Sequence, residues 1–327
     1  MSASKSKATG KGRKFVQKLK VQWILLFMTL PFFLYRILFS YVPLVGWYIA
    51  FSDYRPRIGL SPWQQVLQSE FIGLQNFRML LDTNTVMGAR FIQSVVNTFG
   101  QAILTQIVGF IAAITLSLML HEVRINGIKK VIQNILYLPH FLSWVIVASL
   151  ASLALALPVS GGIINEFLLW VRIIDEPIHF LANPNYFWGI VAGTHLWRNL
   201  GWNTIIYLAA MTAVDPTLYE AASIDGASRY RKMWHITLAC IRPTIVVLLI
   251  MNTGWLLTSG FEIQWFLGHG VNIARSENID IFILRYGIQM GNFGLATAAG
   301  ILRTFVSITM LAIVNFISGR LGGERLF

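Results

Sequence analysis

Six apolar segments, each long enough to cross a lipid bilayer, constrain this chain more than any other feature of its sequence. A helix needs about 20 mostly apolar residues to span the hydrocarbon core. Segments of that character lie at 21–46, 91–120, 131–157, 187–213, 236–260 and 295–318. Only 12% of the 327 residues are charged, whereas soluble domains carry about 25%. The sequence therefore predicts an all-α integral membrane protein with six transmembrane helices.

The first 20 residues differ sharply from the rest of the chain. They contain seven Lys or Arg residues and no acid, a composition typical of a disordered tail. The next apolar run is longer than the 7–15 residues of a signal-peptide core, so we expect no cleavage. The chain divides into a basic cytoplasmic tail at 1–20 and a transmembrane domain at 21–327.

The distribution of charge orients the predicted helices. The segments 1–20, 121–130, 214–235 and 319–327, together with Arg242, hold 16 Lys/Arg and 5 acids, whereas the opposite side holds 7 Lys/Arg and 9 acids. Basic residues favour the cytoplasmic side of a membrane protein. Both termini are therefore predicted to be cytoplasmic, and the net charge of +12 reflects topology rather than nucleic-acid binding.

The 214–235 loop, between the fourth and fifth predicted spans, contains the signals of a short helix. Asp215 is placed to cap it, and Pro216 suits the first helical position. Gly226 supplies a left-handed stop, and Ser228 can cap a second helix that enters the fifth span. The apolar residues of the first helix can form one stripe: Leu218, Ala221, Ala222 and Ile224. From these residues alone, a cytoplasmic amphipathic helix hinged to a membrane helix and a plain connecting loop are equal interpretations.

A family resemblance favours the first interpretation. The residues that carry it are Glu220-Ala221-Ala222, Asp225-Gly226-Ala227, Ile236, Leu238 and Pro243. They resemble the signature of binding-protein-dependent ABC importer permeases, in which this loop is the coupling helix that docks into a cleft of the ATPase subunit. The resemblance implies that Glu220 pairs with a basic residue there and that Gly226 makes the turn. Where the family usually has proline, this chain has Ala239, so a straighter helix entry is expected, with Pro243 the only break.

Other segments are similar to sugar-type members of that family. These are 41–46, 50–54 and 73–77, while 137–145 looks like the subfamily that handles oligo- and polysaccharides. Length, basic tail and loop pattern resemble the first permease subunit of bacterial alginate importers. The resemblance implies an ATP-driven importer of the bacterial inner membrane that works by alternating access. Its other parts would be a second, similar permease, two ATPase subunits that hold ATP and Mg, and a solute-binding protein outside.

The chain itself shows no nucleotide-binding or catalytic motif. It lacks the GxxxxGK[S/T] phosphate loop, so energy must come from a separate subunit, and its one cysteine, Cys240, excludes a thiolate metal cluster. We expect no cofactor bound by this chain and no enzyme activity. Outer acids such as Glu166, Asp175 and Glu262 leave a membrane enzyme open as a rival. A gradient-driven secondary transporter is the main alternative, although no acidic residue in the predicted spans could carry its ion.

The fourth predicted span is unusually polar. His195, Asn199 and Asn203 recur at i, i+4 and i+8 and so share one helix face, with Arg198 and Trp202 beside it. At 1.5 Å per residue, Arg198 lies roughly 17 Å into the span.

Arg303 in the sixth span lies roughly 12 Å from its outer end. Because a midplane arginine that faces lipid is costly, both arginines are expected to face a polar interior. Either they bind carbonyls or helix ends between two permeases, or they line a cavity for hydroxyl-rich or anionic sugars. In the second case Trp202 or Trp255 would stack on sugar rings, and Asn252 would join the lining or bridge helices.

Overall fold

The structure, a computed structural model, describes residues 22–256 and 261–320. The predicted tail at 1–20 lies outside the described residues. The long helices are α1 (Trp23–Arg36), α4 (Val86–Glu122), α5 (Asn126–Tyr137), α6 (Trp144–Ala154), α8 (Phe187–Thr212), α12 (Arg242–Leu256) and α16 (Phe293–Arg320). The short ones are α2 (Pro62–Gln68), α3 (Gln75–Leu81), α7 (Ile163–Trp170), α9 (Pro216–Ile224), α10 (Arg229–Lys232), α11 (Leu238–Cys240), α13 (Phe261–Leu267), α14 (Ile273–Ser276) and α15 (Ile279–Phe282).

Tighter and wider turns join or extend several of these helices. Turns of 3₁₀-helix lie at Val42–Phe51, Leu138–Phe141, Pro158–Ser160 and Pro184–Tyr186, and π-helix lies at Ile37–Tyr41, Met233–Thr237 and Ile283–Gln289. Two short strands, β1 (Ser52–Asp53) and β2 (Glu70–Phe71), pair antiparallel with Ser52 opposite Phe71. The described chain is thus almost entirely helical, as the sequence predicts.

Three described helices are long and apolar enough to cross a membrane: Trp23–Phe51, Val86–Glu122 and Phe293–Phe316. The number rises to five if each of two bent helix pairs is counted as one span. The remaining predicted span corresponds to α8, whose 26 residues would reach about 39 Å at 1.5 Å per residue. Because α8 carries several polar residues, it is not among the helices that are apolar enough to count as spans by composition. The count of six spans therefore stays a prediction.

The third predicted span, 131–157, is not one helix. Between α5 and α6 the chain bends by 105°, through a 3₁₀ turn that contains Pro139. Proline has no amide hydrogen and obstructs the preceding turn, which explains the break. Ser143 then starts α6 by accepting a hydrogen bond from the Ile146 amide (3.4 Å).

The fifth predicted span is bent as well. Arg229–Cys240 and Arg242–Asn252 meet at 60°, with Ile241 between them and Pro243 in the first turn of α12. This break lies two residues before Pro243, where the sequence predicts the only break. A wide π turn precedes it at Met233–Thr237. The effect of Ala239 in place of proline on the helix entry stays a prediction.

The centre of the bundle is the packing of α4 against α8. Two close approaches need glycine: a Cβ at Gly100 would lie 2.2 Å from the Trp188 ring, and one at Gly201 would lie 2.1 Å from the Leu136 carbonyl oxygen. Tyr207, in α8, is buried in the core between these helices. These contacts bring α5 and the polar residues of α8 into one compact region.

The chain between α12 and α16 folds back onto α4. The Asn97 side chain donates to the carbonyls of Ala274 (3.0 Å) and Glu277 (2.9 Å). The buried Glu277 carboxylate lies 3.3 Å from Arg285 and 3.8 Å from Arg90. Burial raises the pKa of Glu277, and the arginines oppose that shift. Side-chain bonds to backbone carbonyls thus fasten this segment to the bundle.

Candidate functional site

A cavity of about 480 Å³ opens beside α8. Six of the residues predicted to form a translocation path line it: His195, Arg198, Asn199, Trp202, Asn203 and Asn252. The polar face of α8 therefore faces the cavity. Asn252 reaches the same cavity from α12, the helix that follows the break at Ile241. The structure brings these residues together, while their role in transport stays a prediction.

The other walls come from residues that sequence analysis did not single out. They are Thr105, Gln106, Gly109, Phe110 and Ala113 of α4, His140 and Trp144 around the break after α5, and Leu196, Leu200 and Tyr207 of α8. Thr105 and Gln106 are polar residues inside a long apolar helix, which was a usable signal. His140 and Trp144 lie in the 137–145 segment that resembles the oligo- and polysaccharide subfamily, but only the 105° bend carries them to α8.

Arg198 is held firmly at the edge of this cavity. Its Nε donates to the Leu142 carbonyl (3.0 Å), and Nη1 donates to Asn199 Oδ1 (3.3 Å). The guanidinium carbon lies 4.3 Å from the centre of the Trp144 ring, within the range of a cation–π interaction. Leu142 lies in the break, where its carbonyl has no helical partner, so Arg198 both satisfies the break and lines the cavity.

Both sequence-based interpretations of Arg198 therefore describe part of the observed geometry. The carbonyl it binds belongs to its own chain, 56 residues earlier in sequence. Among the residues that line the cavity, Arg198 is the only one charged at neutral pH. The Glu262 carboxylate, which does not line the cavity, interacts electrostatically with it. The cavity thus offers a fixed positive charge among polar and aromatic groups.

Trp202 is the most accessible aromatic group in the cavity, with 42% of the residue exposed. Its ring stacks on His140 at 4.7 Å and on Tyr137 at 5.7 Å. The His195 ring lies 4.4 Å from Trp144. Stacked rings of this kind form a rigid aromatic surface beside the guanidinium.

One predicted path residue, Arg303, does not join this group. Arg303 forms an ion pair with Asp280 and is not among the residues that line the cavity. The pairing places its charge against the segment that folds back between α12 and α16, where burial raises the pKa of Asp280 and Arg303 opposes the shift. The Trp255 side chain lies outside the described part of the structure.

The 214–235 loop has the local geometry that its sequence predicts. Asp215 Oδ1 accepts a hydrogen bond from the Thr217 amide (2.9 Å), and α9 begins at Pro216. Gly226 has a left-handed φ of +73°. The Ser228 hydroxyl accepts from the Arg231 amide (3.4 Å) at the start of α10. The helix predicted there is confirmed, whereas its docking role is not tested by geometry alone.

Within the described part of the chain, α9 makes its side-chain hydrogen bonds to neighbouring helices through Tyr219 and Ser223. The Tyr219 hydroxyl lies 2.9 Å from the Thr237 hydroxyl, and Lys232 Nζ donates to the Ser223 hydroxyl (2.5 Å). Glu220, Ala221 and Asp225 are exposed, Ala222 is half-buried, and 88% of Ile224 is accessible. Three of the four residues of the predicted apolar stripe, Leu218, Ala221 and Ile224, are therefore exposed and available to a partner, whereas Ala222 is partly covered.

Comparison with known proteins is consistent across sequence and structure. Residues 106–323 match the family described as binding-protein-dependent transport system inner membrane component. The chain is 40% identical to the polygalacturonan/rhamnogalacturonan transport system permease protein of Bacillus subtilis (strain 168), over 97% of this chain and 94% of that protein.

Two solved structures contain a similar chain. One is the crystal structure of a bacterial ABC transporter involved in the import of the acidic polysaccharide alginate, where the matching chain is 34% identical with a TM-score of 0.81, covering 94% of this chain and 99% of that one. The other is a bacterial alginate ABC transporter in complex with an alginate pentasaccharide-bound periplasmic protein, with 34% identity, a TM-score of 0.81 and coverage of 93% and 97%.

Proposed function

The chain belongs to the family of binding-protein-dependent transport system inner membrane components, and we propose that it is one of two permeases forming the membrane path of an ATP-driven saccharide importer. Its relatives are permease subunits and not enzymes, and the alternative of a gradient-driven secondary transporter finds no support among them. The observation that carries the proposal is the convergence of six predicted path residues on one cavity.

The remaining parts of the importer follow from this membership. A second, similar permease completes the path, two ATPase subunits hold ATP and Mg, and a solute-binding protein delivers the saccharide, as a periplasmic protein is bound in the related alginate transporter. Six spans with both termini in the cytoplasm accommodate the described helices if α8 is the fourth span and the two bent pairs are the third and fifth. The charge bias of the loops supports that orientation.

The cavity favours an acidic saccharide. Arg198 supplies the positive charge of the cavity lining, which the Glu262 carboxylate outside the lining offsets in part. Guanidinium groups pair well with carboxylates. Trp202 offers an accessible ring for sugar stacking. The polar Asn199, Asn203 and Asn252 can exchange hydrogen bonds with sugar hydroxyls. The alginate transporter to which the chain is similar acts on an acidic polysaccharide, which agrees with this assignment.

The coupling path begins at α9. A push on α9 reaches the fifth span through the Tyr219–Thr237 and Ser223–Lys232 contacts. Beyond the 60° bend that span continues as α12, which carries Asn252 to the cavity. ATPase closure would therefore move α12, which forms one wall of the cavity. In this chain, alternating access would consist of that movement.

Co-purification tests the coupling assignment. The ATPase subunit should remain bound to the wild-type pair of permeases in detergent and be lost with Glu220→Ala. Glu122→Ala is the matched control, because it removes another exposed acid at the end of α4 but lies outside the loop. Equal retention of ATPase by both variants would exclude Glu220 as a docking residue, and no ATPase with the wild-type pair would refute the importer itself.

Transport assays in proteoliposomes test the cavity assignment. Uptake of acidic and neutral oligosaccharides of equal length should be compared for wild type, Arg198→Lys and Arg198→Gln. We expect Arg198→Gln to reduce uptake of the acidic sugar selectively and Arg198→Lys to retain part of it. An equal loss for both sugars would mean that Arg198 acts only by holding the Leu142 carbonyl, and the preference for acidic sugars would then be wrong.

A further inference from the structure

Helix α7 turns its most apolar side outward. Ile163 is 65% exposed, Phe167 57% and Trp170 80%. Their spacing of four and three residues places them on one face, and the Phe167 and Trp170 rings lie 6.2 Å apart. A contiguous apolar face of this kind is unfavourable in water and marks an interaction surface.

The fold holds this face in a defined orientation. On the opposite side of α7, the fully buried Asn165 donates to the carbonyls of Ala156 (2.9 Å) and Ile178 (3.0 Å) and accepts from the Ile178 amide (2.8 Å). Gly162 passes so close to Ala156 that a Cβ would lie 1.8 Å from its carbonyl oxygen. The helix is therefore fastened to the end of the preceding membrane helix.

That preceding helix has an apolar exposed stripe of its own. Ile146, Leu150 and Leu153 of α6 recur at i, i+4 and i+7 and are 45–57% exposed. A stripe of this composition suits contact with lipid tails, which are as apolar as leucine. Because α7 is fastened where α6 ends, it lies where hydrocarbon gives way to lipid headgroups.

The end of α7 carries a strained cation. Arg172 has a φ of +55° and is the only non-glycine residue with positive φ in the described part of the chain. Its amide binds the Leu169 carbonyl (3.0 Å), and the Ile173 amide binds the Leu168 carbonyl (3.0 Å), a helix ending that ordinarily uses glycine. The Arg172 side chain is exposed and pairs with no acid among the described residues. A glycine at this position would remove the backbone strain. The arginine is therefore better explained by a contact of its side chain than by the turn.

We propose that α7 lies in the headgroup region of the bilayer, with Ile163, Phe167 and Trp170 among the acyl chains and Arg172 on a lipid phosphate. Interfacial helices carry large apolar residues on one side and basic residues at the boundary. Tryptophan is enriched at this depth, and guanidinium groups bind phosphate well. After Ile173 and Ile174, the exposed carboxylates Asp175 and Glu176 follow, and they favour water. A bilayer, rather than a protein partner, therefore fits this surface.

Spin-label accessibility tests the depth of α7. A nitroxide is placed by Trp170→Cys in a Cys240→Ser background, which removes the one native cysteine, in nanodiscs of phosphatidylglycerol and phosphatidylcholine. Ile58→Cys is the matched control, because Ile58 is fully exposed between β1 and α2. We expect collisions with oxygen to exceed those with a water-soluble nickel complex at position 170, and the reverse at position 58.

Two results would overturn the assignment. If position 170 is as accessible to nickel as position 58, α7 lies in water. If it becomes protected from both reagents only when the mate permease or the binding protein is added, the surface is a protein interface. The full chain is measured with and without these partners, so that the two results are distinguishable.

The Arg172 contact is tested separately by lipid retention. Arg172→Gly should purify as a well-folded chain, because it relieves the strained φ, but native mass spectrometry should show severalfold less bound phosphatidylglycerol. Arg172→Lys should retain most of that lipid. Unchanged phosphatidylglycerol in Arg172→Gly would exclude the headgroup contact.

Discussion

Replacing Gly201 by alanine should destabilise the protein, because α5 and α8 approach each other through this position. A Cβ there would lie 2.1 Å from the Leu136 carbonyl oxygen, 2.3 Å from its carbon and 2.6 Å from the Tyr137 amide nitrogen. All three obstacles are backbone atoms, which cannot rotate away as a side chain can. The two helices must separate by about 1 Å, and overpacking of this kind costs about 1–3 kcal/mol.

The separation should also reach the cavity. Tyr137 leads into the break at Leu142, whose carbonyl accepts from Arg198 Nε at 3.0 Å. An added shift of about 1 Å takes that pair beyond hydrogen-bond range, and a hydrogen bond to a charged group contributes about 1.5–3 kcal/mol. We therefore expect a total loss of about 2.5–6 kcal/mol, together with a fall in transport.

Gly193→Ala is the matched control, since it lies in the same helix and a Cβ there would meet no atom within 4 Å. In a helix interior alanine is favoured over glycine by about 0.5–1 kcal/mol, so this variant should be neutral or slightly stabilising. Thermal unfolding in detergent, followed by circular dichroism, compares the two. Similar shifts of the same sign for both variants would refute the close-approach argument.

Three further outcomes concern the loops. The hydrogen bond from the Thr217 amide lowers the pKa of Asp215, so the capping of α9 by Asp215 should be complete above the ordinary aspartate pKa and lost as pH falls through the lowered value. Hydrogen exchange of the α9 amides should speed up over that pH range. In Asp215→Asn, whose cap is uncharged, the exchange should show no such pH dependence. Gly226→Ala should cost about 1–2 kcal/mol in thermal unfolding because of its φ of +73°, and Gly226→Asn less; equal effects would contradict the argument from backbone strain. Asn165→Ala should cost about 1–3 kcal/mol in the same assay by unpairing buried backbone groups, and Asn165→Asp, which cannot donate to either carbonyl, should be no better.

Local signals in the sequence were sufficient for the elements with short-range determinants. The cap at Asp215, the turn at Gly226 and the shared face of His195, Asn199 and Asn203 depend on residues a few positions apart, and the structure has all three. The length of α4 and α16 likewise reflects apolar composition. Helical periodicity and capping chemistry operate within one or two turns, so one sequence reveals them.

The bends and the pairing of charges were decided only by the tertiary structure. Pro139 marked a place where a helix can break, but the 105° turn leaves the Leu142 carbonyl in need of a donor, and that donor is Arg198, 56 residues later. Arg303, which the sequence placed at a depth similar to that of Arg198, is paired with Asp280 instead. Contacts over such separations depend on how helices pack, and neither periodicity nor composition encodes which of two similar arginines will meet a carboxylate and which will face the cavity.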